Sequence, residues 1–519
     1  MTTTQSLIRS LQLHPDRIAV RFQGRARTFR EYGDRVARLA SALRTVGVGT
    51  GQTVAMLALN SDRYLEYCMA VPWAGAVLNP CNIRWSADEI IYSLEDAESV
   101  ALIVDDAFAA MGAEIAARCP ALKAVIHATD GEPRAGMLSY EALLRDHAPI
   151  EDAARGPQDL AGIFYTGGTT GFPKGVMLSH GNLWASAICY LMEGFSRPGS
   201  TYLHAAPMFH LADMGLSFAH FLNGGTHAVV PAFEPKSVIE SMVSDQVTDM
   251  LLVPTMVQML VDHPAIGGAR DQLKVERLLY GASPISEAVL LRAMDAMPGV
   301  QFGQAYGMTE LSPLATFNSF HNHSEEGRKA GKLRAAGRPT FSVALKIVDA
   351  EGREVPRGTV GEVVVRGPNV MMGYWKKPAE TAAALRDGWM HTGDGAYMDE
   401  DGYIFVVDRM KDMIISGGEN VYSAEVENAI AQHPAVASVA VIGIPDDRWG
   451  ESVHAVIVLK PGASADAARI QSHCKERIAG YKCPRSVEFR DALPLSGAGK
   501  ILKVELRKPF WEGRQRCIA

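Results

Sequence analysis

The segment from Tyr165 to Val176 has the composition of a phosphate-binding loop. It reads Y-T-G-G-T-T-G-F-P-K-G-V and follows the apolar run 161–165. Glycines let backbone N–H groups approach an anion closely, because they carry no Cβ atom. The threonine hydroxyls add hydrogen-bond donors, and Lys174 adds a mobile positive charge. We therefore expect this loop to hold a polyphosphate, although clusters of glycine and threonine also form surface turns that bind nothing.

The segment differs from the Walker A loop of the P-loop nucleotide hydrolases. Pro173 stands where that motif has its second glycine, and Gly175 follows the lysine in place of serine or threonine. The apolar runs on both sides favour a loop that is positioned between two strands.

Six further short segments resemble, in type and in order, the signatures of the adenylate-forming superfamily. That superfamily contains acyl- and aryl-CoA synthetases, the adenylation domains of peptide synthetases, and luciferases. The segments are 207–210 (P-M-F-H), 280–284 (Y-G-A-S-P), 306–310 (Y-G-M-T-E), 391–394 (H-T-G-D), 408–412 (D-R-M-K-D) and 497–500 (G-A-G-K). One such match is weak, but the whole series in order along nearly the entire chain is specific.

The resemblance implies a ligase that uses ATP, Mg²⁺ and coenzyme A. A carboxylate is a poor electrophile, and adenylation gives it AMP as a leaving group. Transition-state charge on the α-phosphate then requires cations and hydrogen-bond donors that point toward it. The reaction expected from the resemblance forms acyl-AMP with release of pyrophosphate, and then transfers the acyl group to CoA.

The resemblance also assigns residues to the nucleotide site. Those expected to bind ATP or AMP are Thr166, Gly167, Gly168, Thr169, Thr170, Gly171, Lys174, Gly281, Ala282, Ser283, Gln304, Ala305, Tyr306, Gly307, Met308, Thr309, Asp394, Arg409 and Lys500. Glu310 and Thr170 are the expected Mg²⁺ ligands, because Mg²⁺ takes oxygen ligands and often only one or two protein carboxylates. Lys500, Thr309, Glu310 and His210 are the expected catalytic residues.

Asp394 and Arg409 also have ordinary structural interpretations. Asp394 follows Gly393 in what we predict to be a loop, where its carboxylate could accept hydrogen bonds from ribose hydroxyls or simply form a turn. Arg409 stands where the family contacts ribose or phosphate, but a surface ion pair with Asp408 or Asp412 is the alternative.

Lys500 is the predicted catalytic lysine of the carboxyl-terminal segment. Two glycines before it favour a mobile loop that can carry the ammonium group to an acyl-phosphate transition state. Lys503 and Lys508 lack a preceding glycine and are interpreted as solvated charges. Leu495 departs from the family pattern, which commonly has a basic residue there.

The acid is expected to bind in an apolar pocket. By resemblance, its walls are His210, Ala212, Met214, Ala282, Gly307 and Leu314. His210 has no other His or Cys at metal-ligand spacing, so zinc is disfavoured. Since the carboxylate is already ionised, adenylation needs no base. His210 therefore either orients the acid or is a structural loop histidine.

The resemblance implies that a small carboxyl-terminal domain rotates between the two half-reactions. Lys411 stands at the hinge position, and Gly417, Gly418 and Glu419 are expected to line the channel for CoA. A simple hairpin turn is the alternative interpretation of the two glycines. The expected domains are 1–408 for ATP and acid, 409–411 for the hinge, and 412–519 for the mobile domain.

The elements needed to position these residues follow from apolar patterning. Strand-like and helix-like segments alternate up to about residue 340, and this predicts layered α/β packing on largely parallel sheets. Residues 341–375 are rich in β-type segments and predict a smaller, β-barrel-like subdomain. Beyond residue 412 we expect an α+β unit that ends in a solvated tail from Arg507.

Composition indicates the class of protein and the cellular compartment that suits it. The chain has 519 residues, too many for one ordinary core, with a net charge of −7 and scattered Lys and Arg, which disfavours nucleic-acid binding. Seven cysteines without a CxxC pair argue against a disulfide framework and favour a reducing cytoplasm. No signal peptide or membrane-spanning run is predicted. A homodimer is expected only by analogy.

Three rival functions remain open from the sequence. An acyl-AMP ligase that loads a carrier-protein thiol would share every adenylation motif. A non-catalytic nucleotide-binding homologue would be expected to have lost some of these polar residues. A luciferase-like oxygenase is compatible with the motifs, but no residue calls for it.

Overall fold

The fold comprises two large mixed sheets, a small antiparallel sheet, and a separate carboxyl-terminal α+β unit. It was obtained as a computed structural model, which describes residues 1–166, 173–410, 412–417, 419–497 and 499–512. The predicted fold class is confirmed: a large amino-terminal α/β part with a smaller carboxyl-terminal domain.

The first part of the chain, up to the phosphate-binding loop, alternates helices and strands as predicted. Its elements are α1 (Gln5–Leu13), β1 (Ile18–Phe22), β2 (Arg25–Thr28), α2 (Phe29–Thr45), β3 (Thr53–Leu57), α3 (Asp62–Trp73), β4 (Val77–Pro80), α4 (Ala87–Asp96), β5 (Ser99–Asp105), α5 (Ala109–Arg118), β6 (Ala124–Ala128), β7 (Leu138–Ser139), α6 (Tyr140–Asp146) and β8 (Leu160–Thr166).

The second part continues the same alternation. Its elements are β9 (Lys174–Ser179), α7 (His180–Met192), β10 (Thr201–His204), α8 (Leu211–Leu222), β11 (Thr226–Val229), α9 (Pro235–Ser244), β12 (Asp249–Leu252), α10 (Pro254–Asp262), α11 (Ala265–Ala269), β13 (Arg277–Gly281), α12 (Glu287–Ala296), β14 (Gln301–Tyr306), β15 (Thr316–Asn318), α13 (Glu325–Lys329) and β16 (Arg338–Pro339).

The remaining elements form the small sheet and the carboxyl-terminal unit. They are β17 (Ala344–Val348), β18 (Gly361–Arg366), β19 (Gly373–Tyr374), α14 (Pro378–Ala384), β20 (Leu385–Arg386), β21 (Trp389–Met398), β22 (Ile404–Arg409), β23 (Ile414–Ser416), β24 (Glu419–Val421), α15 (Ser423–Ala431), β25 (Val436–Asp446), β26 (Gly450–Leu459), α16 (Ala467–Lys475), β27 (Ser486–Phe489) and α17 (Lys503–Trp511).

The helix starts follow local capping chemistry. Ser86 and Ser179 each accept a hydrogen bond from the third backbone N–H of the helix they precede, while the side chain of Glu89 or Asn182 bonds back to the capping residue. These reciprocal pairs satisfy N–H groups that have no partner inside the helix. The S-A-D-E segment 86–89 predicts a capping box and Ser179 predicts a helix cap, and the structure confirms both predictions.

The two large sheets are mainly parallel, as the alternation predicts. One has eight strands in the order β19-β9-β8-β4-β3-β5-β6-β7, and the other has nine in the order β16-β15-β14-β13-β12-β10-β11-β1-β2. Strands β10, β12, β13 and β14 are parallel neighbours, so their carboxyl ends meet at one edge. In open α/β sheets, ligands bind outside the carboxyl ends of the strands.

The predicted small β unit draws on more of the chain than residues 341–375. Its antiparallel sheet has the order β17-β18-β21-β20, with β22 paired to β21, so it reaches residue 409. Strand β19 instead pairs with β9 in the eight-stranded sheet. Residue 373 pairs with residue 177, which lies far away in the sequence, so no local pattern predicts this pairing.

The carboxyl-terminal unit packs α15, α16 and α17 against an antiparallel sheet, to which β27 adds a parallel strand. Its own apolar core includes Ile414, Val426, Val441, Ile457 and Ile470. The predicted solvated tail from Arg507 is wrong for the residues described there. Arg507 lies in α17, is buried, and forms an ion pair with Asp412 at 2.6 Å.

Candidate active site

The site lies at the shared edge of β10, β12, β13 and β14. His210 follows β10 as the residue before α8, Gly281 ends β13, and Tyr306 ends β14. The 3₁₀ turn Thr309–Leu311 comes next and carries Glu310. The strand order therefore brings together three segments that the sequence motifs place far apart.

Close backbone packing fixes this edge. A Cβ atom on Gly281 would lie 2.3 Å from the carbonyl oxygen of Ala305, so only glycine fits there. Ala282 then adopts a φ of +67°, a left-handed conformation that is uncommon for a residue with a side chain. Such conformations cluster at functional sites.

Glu310 is a buried carboxylate that receives one side-chain hydrogen bond from the described part of the chain. Its Oε1 atom accepts a hydrogen bond from the hydroxyl of Tyr374 at 2.9 Å. Burial raises the pKa of Glu310, and the Tyr374 hydrogen bond and the positive charges of Arg409 and Lys500 oppose that change. The other carboxylate oxygen, Oε2, can therefore bind an Mg²⁺ ion, whose charge would offset the cost of burying the carboxylate.

Tyr374 is a site residue that the sequence motifs missed. It lies on β19, beside Val176 of β9, and its ring centroid is 5.2 Å from the Nζ atom of Lys174. The ring thus links Glu310 to the lysine of the phosphate loop. The aromatic run Tyr374-Trp375 was the available signal, but nothing local connects it to residue 310.

Asp394 and Arg409 form a pair across two strands. They are register partners on β21 and β22, and Nε of Arg409 lies 2.8 Å from Oδ1 of Asp394. The hydroxyl of Tyr306 donates to Oδ2 of Asp394 at 2.8 Å. The negative charge of Asp394 is the main cause that raises the pKa of Arg409.

Two expectations about this pair are wrong. Asp394 lies within strand β21 rather than in a loop, although Gly393 beside it has a φ of +70°. Arg409 pairs with Asp394, not with Asp408 or Asp412. Asp408 instead accepts a hydrogen bond from the backbone N–H of Ser423 at 2.7 Å. Antiparallel pairing decides both outcomes, because it places residues 394 and 409 side by side.

Lys500 reaches this site from the carboxyl-terminal unit. It lies close enough to Arg409, Asp394 and Glu310 for their charges to affect its pKa. That pKa is lowered to about 8, chiefly by burial and then by Arg409, against the opposing carboxylates. The Lys500 side chain therefore lies within electrostatic range of Arg409, Asp394 and Glu310, three residues predicted to bind ATP or Mg²⁺.

The pKa of Lys500 predicts a pH dependence. Below pH 8 the ammonium form predominates, and above it the charge is lost. We expect kcat/KM for acid-dependent pyrophosphate release to fall toward tenfold per pH unit above about pH 8, since this parameter reports groups of the free enzyme. In K500R the residual activity should show no such fall below pH 10, because arginine stays protonated. A fall of equal steepness in K500R would contradict the assignment.

Lys503 has a different environment from the one expected. Its Nζ atom lies 2.7 Å from Oε1 of Glu427, and it also contacts the Ser423 hydroxyl. The prediction of a solvated charge is therefore wrong for Lys503, which helps to hold α17 against α15. Lys508 is exposed, as predicted.

Most of the predicted acid-pocket residues lie at the start of α8 and in the neighbouring 307–314 segment, whereas Ala282 directly follows β13. A Cβ atom on Gly215 of α8 would lie 3.0 Å from Cδ of Pro313, so the two segments are in contact. Met214 and Leu314 are fully buried, whereas His210, Ala212, Ala282 and Gly307 are partly exposed. The pKa of His210 is lowered to about 4, mainly by burial and less by Lys500, so its imidazole is neutral at pH 7.

The small size of Ala212 and Gly307 predicts open volume for the acid, but at Gly307 this prediction is wrong. A Cβ atom there would lie 1.9 Å from the carbonyl oxygen of Pro313, so the missing side chain faces backbone. A bulky residue at 307 would distort the segment rather than fill the pocket. Ala212 is the better position at which to test pocket volume.

A buried polar cluster anchors the helix that begins at the pocket. Asp213, in the first turn of α8, accepts a hydrogen bond from the Tyr202 hydroxyl at 2.9 Å and lies 2.6 Å from Nδ1 of His204. All three side chains are buried. The sequence signal was an aspartate in a mainly apolar helix, and these contacts hold the turn that carries Ala212.

Other predicted residues lie outside the described structure or beside the site. Positions 167–172, Lys411 and Gly418 are outside the described residues, so Thr170, Lys411 and Gly418 keep only their predicted roles. Thr166 and Lys174 are partners on β8 and β9. Gly417 and Glu419 belong to the hairpin of β23 and β24, which fits the turn interpretation. Their contact with CoA stays a prediction.

Comparison with known proteins identifies the family. The model described as "AMP-binding enzyme" matches residues 7–375, and the one described as "AMP-binding enzyme C-terminal domain" matches residues 425–500. A feruloyl-CoA synthase from Amycolatopsis sp is 41% identical over 508 residues, covering 97% of this chain and 98% of that protein. The fatty acid–[acyl-carrier-protein] ligase ScoC of Streptomyces coeruleorubidus is 35% identical, covering 99% and 98%.

Solved structures agree with this assignment. The crystal structure of ATP-bound MatB from Rhodopseudomonas palustris superposes with a TM-score of 0.88 at 30% identity, covering 99% of this chain and all of that one. Within the described residues, no helix is both long enough and apolar enough to cross a membrane. The chain belongs to the adenylate-forming AMP-binding enzyme family, as an AMP-forming acid–thiol ligase of the acyl- and aryl-CoA ligase type.

Proposed function

We propose that this enzyme activates a carboxylic acid with an uncharged aryl or medium- to long-chain acyl tail, and transfers it to CoA. The observation that carries the proposal is the clustering of Lys500, Arg409, Asp394 and Glu310 around the carboxyl end of β14, near the start of α8. The feruloyl-CoA synthase relative supports an aryl acid.

The proposed adenylation step uses charges that the fold already holds in place. Tyr306 and Arg409 orient the Asp394 carboxylate, which would accept hydrogen bonds from the ribose hydroxyls. Lys500 would place its ammonium group against the charge that develops between the acid oxygen and the α-phosphate. The carboxylate oxygen attacks the α-phosphorus, the bond to the β-phosphate oxygen breaks, and pyrophosphate leaves.

Mg²⁺ fits the donor set of the site. Glu310 would hold it through the oxygen that Tyr374 does not occupy, and the hydroxyl of Thr170 is the second proposed ligand. When bound, Mg²⁺ supplies positive charge that neutralises the phosphates.

The second half-reaction requires a different domain orientation in this proposal. The thiol of CoA attacks the acyl carbonyl carbon, the bond to the phosphate oxygen breaks, and AMP leaves. Lys411 is the proposed hinge, and Gly417, Gly418 and Glu419 are proposed to line the thiol channel. The proposed domain division at 408–412 agrees with the change of sheet between β22 and β23.

The acid preference gives a direct test of the proposal. We expect kcat/KM to rise at least about 100-fold from acetate to octanoate or ferulate, because each buried methylene contributes roughly 0.8 kcal/mol. Malonate should also react poorly, since its second carboxylate would be desolvated without a partner. A panel of acids assayed for pyrophosphate and AMP release measures this. An enzyme that prefers acetate or malonate to every longer acid would overturn it.

Ala212→Trp provides the matched pocket variant. It should lower kcat/KM for octanoate and ferulate while leaving acetate nearly unchanged, because the indole would occupy the volume of the acid tail. An equal loss for all acids would indicate damage to the fold instead.

An acyl-AMP ligase that loads a carrier protein is the second candidate. It is favoured by the 35% identical ScoC relative, which is named for that activity. The same assay distinguishes the two candidate functions when CoA and a phosphopantetheinylated carrier protein are supplied as alternative thiol substrates. If an acid triggers pyrophosphate release but neither thiol yields a thioester and AMP, both candidate functions are contradicted. ATP binding without any pyrophosphate release would indicate a non-catalytic homologue.

A further inference from the structure

The loop that carries Lys500 rests on a specific surface of the amino-terminal domain. The Thr255 hydroxyl donates to the carbonyl oxygen of Gly499 at 3.2 Å, and Nη1 of Arg84 donates to the carbonyl oxygen of Ser496 at 2.9 Å. Both acceptors are backbone atoms within four residues of Lys500. Neither donor belongs to any of the sequence motifs.

Helix α10 makes a second contact with the carboxyl-terminal unit. Nε2 of Gln258 donates to the carbonyl oxygen of Ala437, at the start of β25, at 2.8 Å. Residues three apart on a helix share a face, so Thr255 and Gln258 act from the same side of α10. The helix begins directly after β12, whose carboxyl end lies between those of β10 and β13. The surface is therefore built into the edge that forms the active site.

Two glycines allow the Lys500 loop to pack this closely against the amino-terminal domain. A Cβ atom on Gly497 would lie 2.7 Å from Oδ1 of Asn82, and one on Gly499 would lie 3.1 Å from Oγ1 of Thr255. Gly499 also has a φ of +75°, which favours glycine. The glycines before Lys500 thus serve close docking as well as the mobility inferred from the sequence.

The loop is also closed on itself while docked. The backbone N–H of Ser496 donates to the carbonyl oxygen of Lys500 at 2.7 Å, and the backbone N–H of Lys500 donates to the Ser496 hydroxyl at 3.1 Å. Holding the carbonyls of Ser496 and Gly499 therefore fixes the backbone from which the Lys500 side chain extends.

We propose that Thr255, Gln258 and Arg84 are positioning residues for Lys500, and that they act only in the adenylation half-reaction. The proposal deepens the function proposed above and rests on it for the role of Lys500. Because the donors lie on one domain and the acceptors on the other, rotation of the carboxyl-terminal domain breaks all three hydrogen bonds. Losing them should slow acyl-AMP formation and leave thioester formation unchanged.

The test compares the two half-reactions in full-length variants. T255V keeps the size of the side chain and removes the hydroxyl, and we expect acid-dependent pyrophosphate release to fall about 5-fold. T255V/Q258A should lose about 20-fold or more, and R84A about 2-fold, because its contact is exposed. Thioester formation from supplied acyl-AMP and CoA should stay within about 2-fold of the wild type in every variant.

Control variants separate positioning from folding. T255S retains the hydroxyl and should restore adenylation to within about 2-fold of the wild type. R145A removes an exposed arginine that pairs with Asp146, far from α10 in sequence, and should change neither half-reaction. The KM for the acid should stay constant in T255V while kcat falls, because a positioning residue does not contact the acid.

The outcomes distinguish this inference from the proposed function. If K500A abolishes adenylation while T255V/Q258A keeps the wild-type rate, the positioning role is overturned and the role of Lys500 stands. Equal losses in both half-reactions of T255V/Q258A would also overturn it, since the surface would then not be specific to one orientation. Adenylation by K500A at close to the wild-type rate would overturn both.

Discussion

Replacing Lys500 with alanine should reduce acyl-AMP formation by about 100- to 1,000-fold and leave thioester formation from supplied acyl-AMP near the wild-type rate. This magnitude is typical of removing one group that stabilises transition-state charge. Lys500 shares the site with Asp394, Arg409 and Glu310 in the present domain orientation. After rotation, the same lysine would lie away from the reacting atoms, so the second half-reaction should not need it.

The matched control for this prediction is K508A. Lys508 lies on α17, eight residues beyond Lys500, and is exposed. Its removal deletes the same charge from the same domain and should change neither half-reaction by more than about 2-fold. Rates of both half-reactions, measured as pyrophosphate release and as thioester formation, provide the comparison. If K500A slowed both half-reactions equally, Lys500 would not be specific to adenylation.

Glu310→Gln should lower Mg²⁺-dependent adenylation by about 30-fold at limiting Mg²⁺. The loss of a charged partner is worth roughly 2 kcal/mol, which corresponds to this change in rate. An amide oxygen can still accept the hydrogen bond from Tyr374 at 2.9 Å, so the local packing should survive. Higher Mg²⁺ concentrations should recover part of the activity, whereas ATP binding without metal should change much less.

The variant Y374F tests the hydrogen bond to Glu310 separately from the Glu310 carboxylate itself. It removes the hydroxyl that bonds to Glu310 but keeps the carboxylate and the ring beside Lys174. We expect a loss of about 5-fold, the usual worth of one hydrogen bond. If E310Q left the Mg²⁺ dependence of adenylation unchanged, Glu310 would be removed from the metal site, whatever the effect of Y374F.

The shared strand edge explains how one site can be assembled from distant motifs. In parallel sheets every strand ends on the same side, so the segments after β10, β13 and β14 become neighbours although about 100 residues separate the first from the last. Lys500 then joins them from a domain with its own core. In the proposed mechanism, Lys500 would enter and leave the site with its domain while Glu310 and Asp394 stay in place.

The alternation of elements, the motifs and the order of the motifs can all be predicted from the amino-acid sequence. The caps at Ser86 and Ser179 and the presence of strands within the β-rich region 341–375 agree with expectation, because capping and apolar alternation act over a few residues. The motifs were likewise visible because each is a short contiguous segment. Together they sufficed for the family and for most of the candidate site.

The contacts between these residues follow from the packing of the whole chain and not from any local pattern. Tyr374 on Glu310, Arg409 on Asp394 and Thr255 on the Lys500 loop are contacts between residues 15 to 244 positions apart. Two wrong predictions have the same cause. Arg507 is buried because α17 packs on the carboxyl-terminal sheet, and Gly307 leaves no volume because it faces the Pro313 carbonyl. Local propensity cannot predict such contacts, because strand pairing and the docking of one domain on another set them across the whole chain.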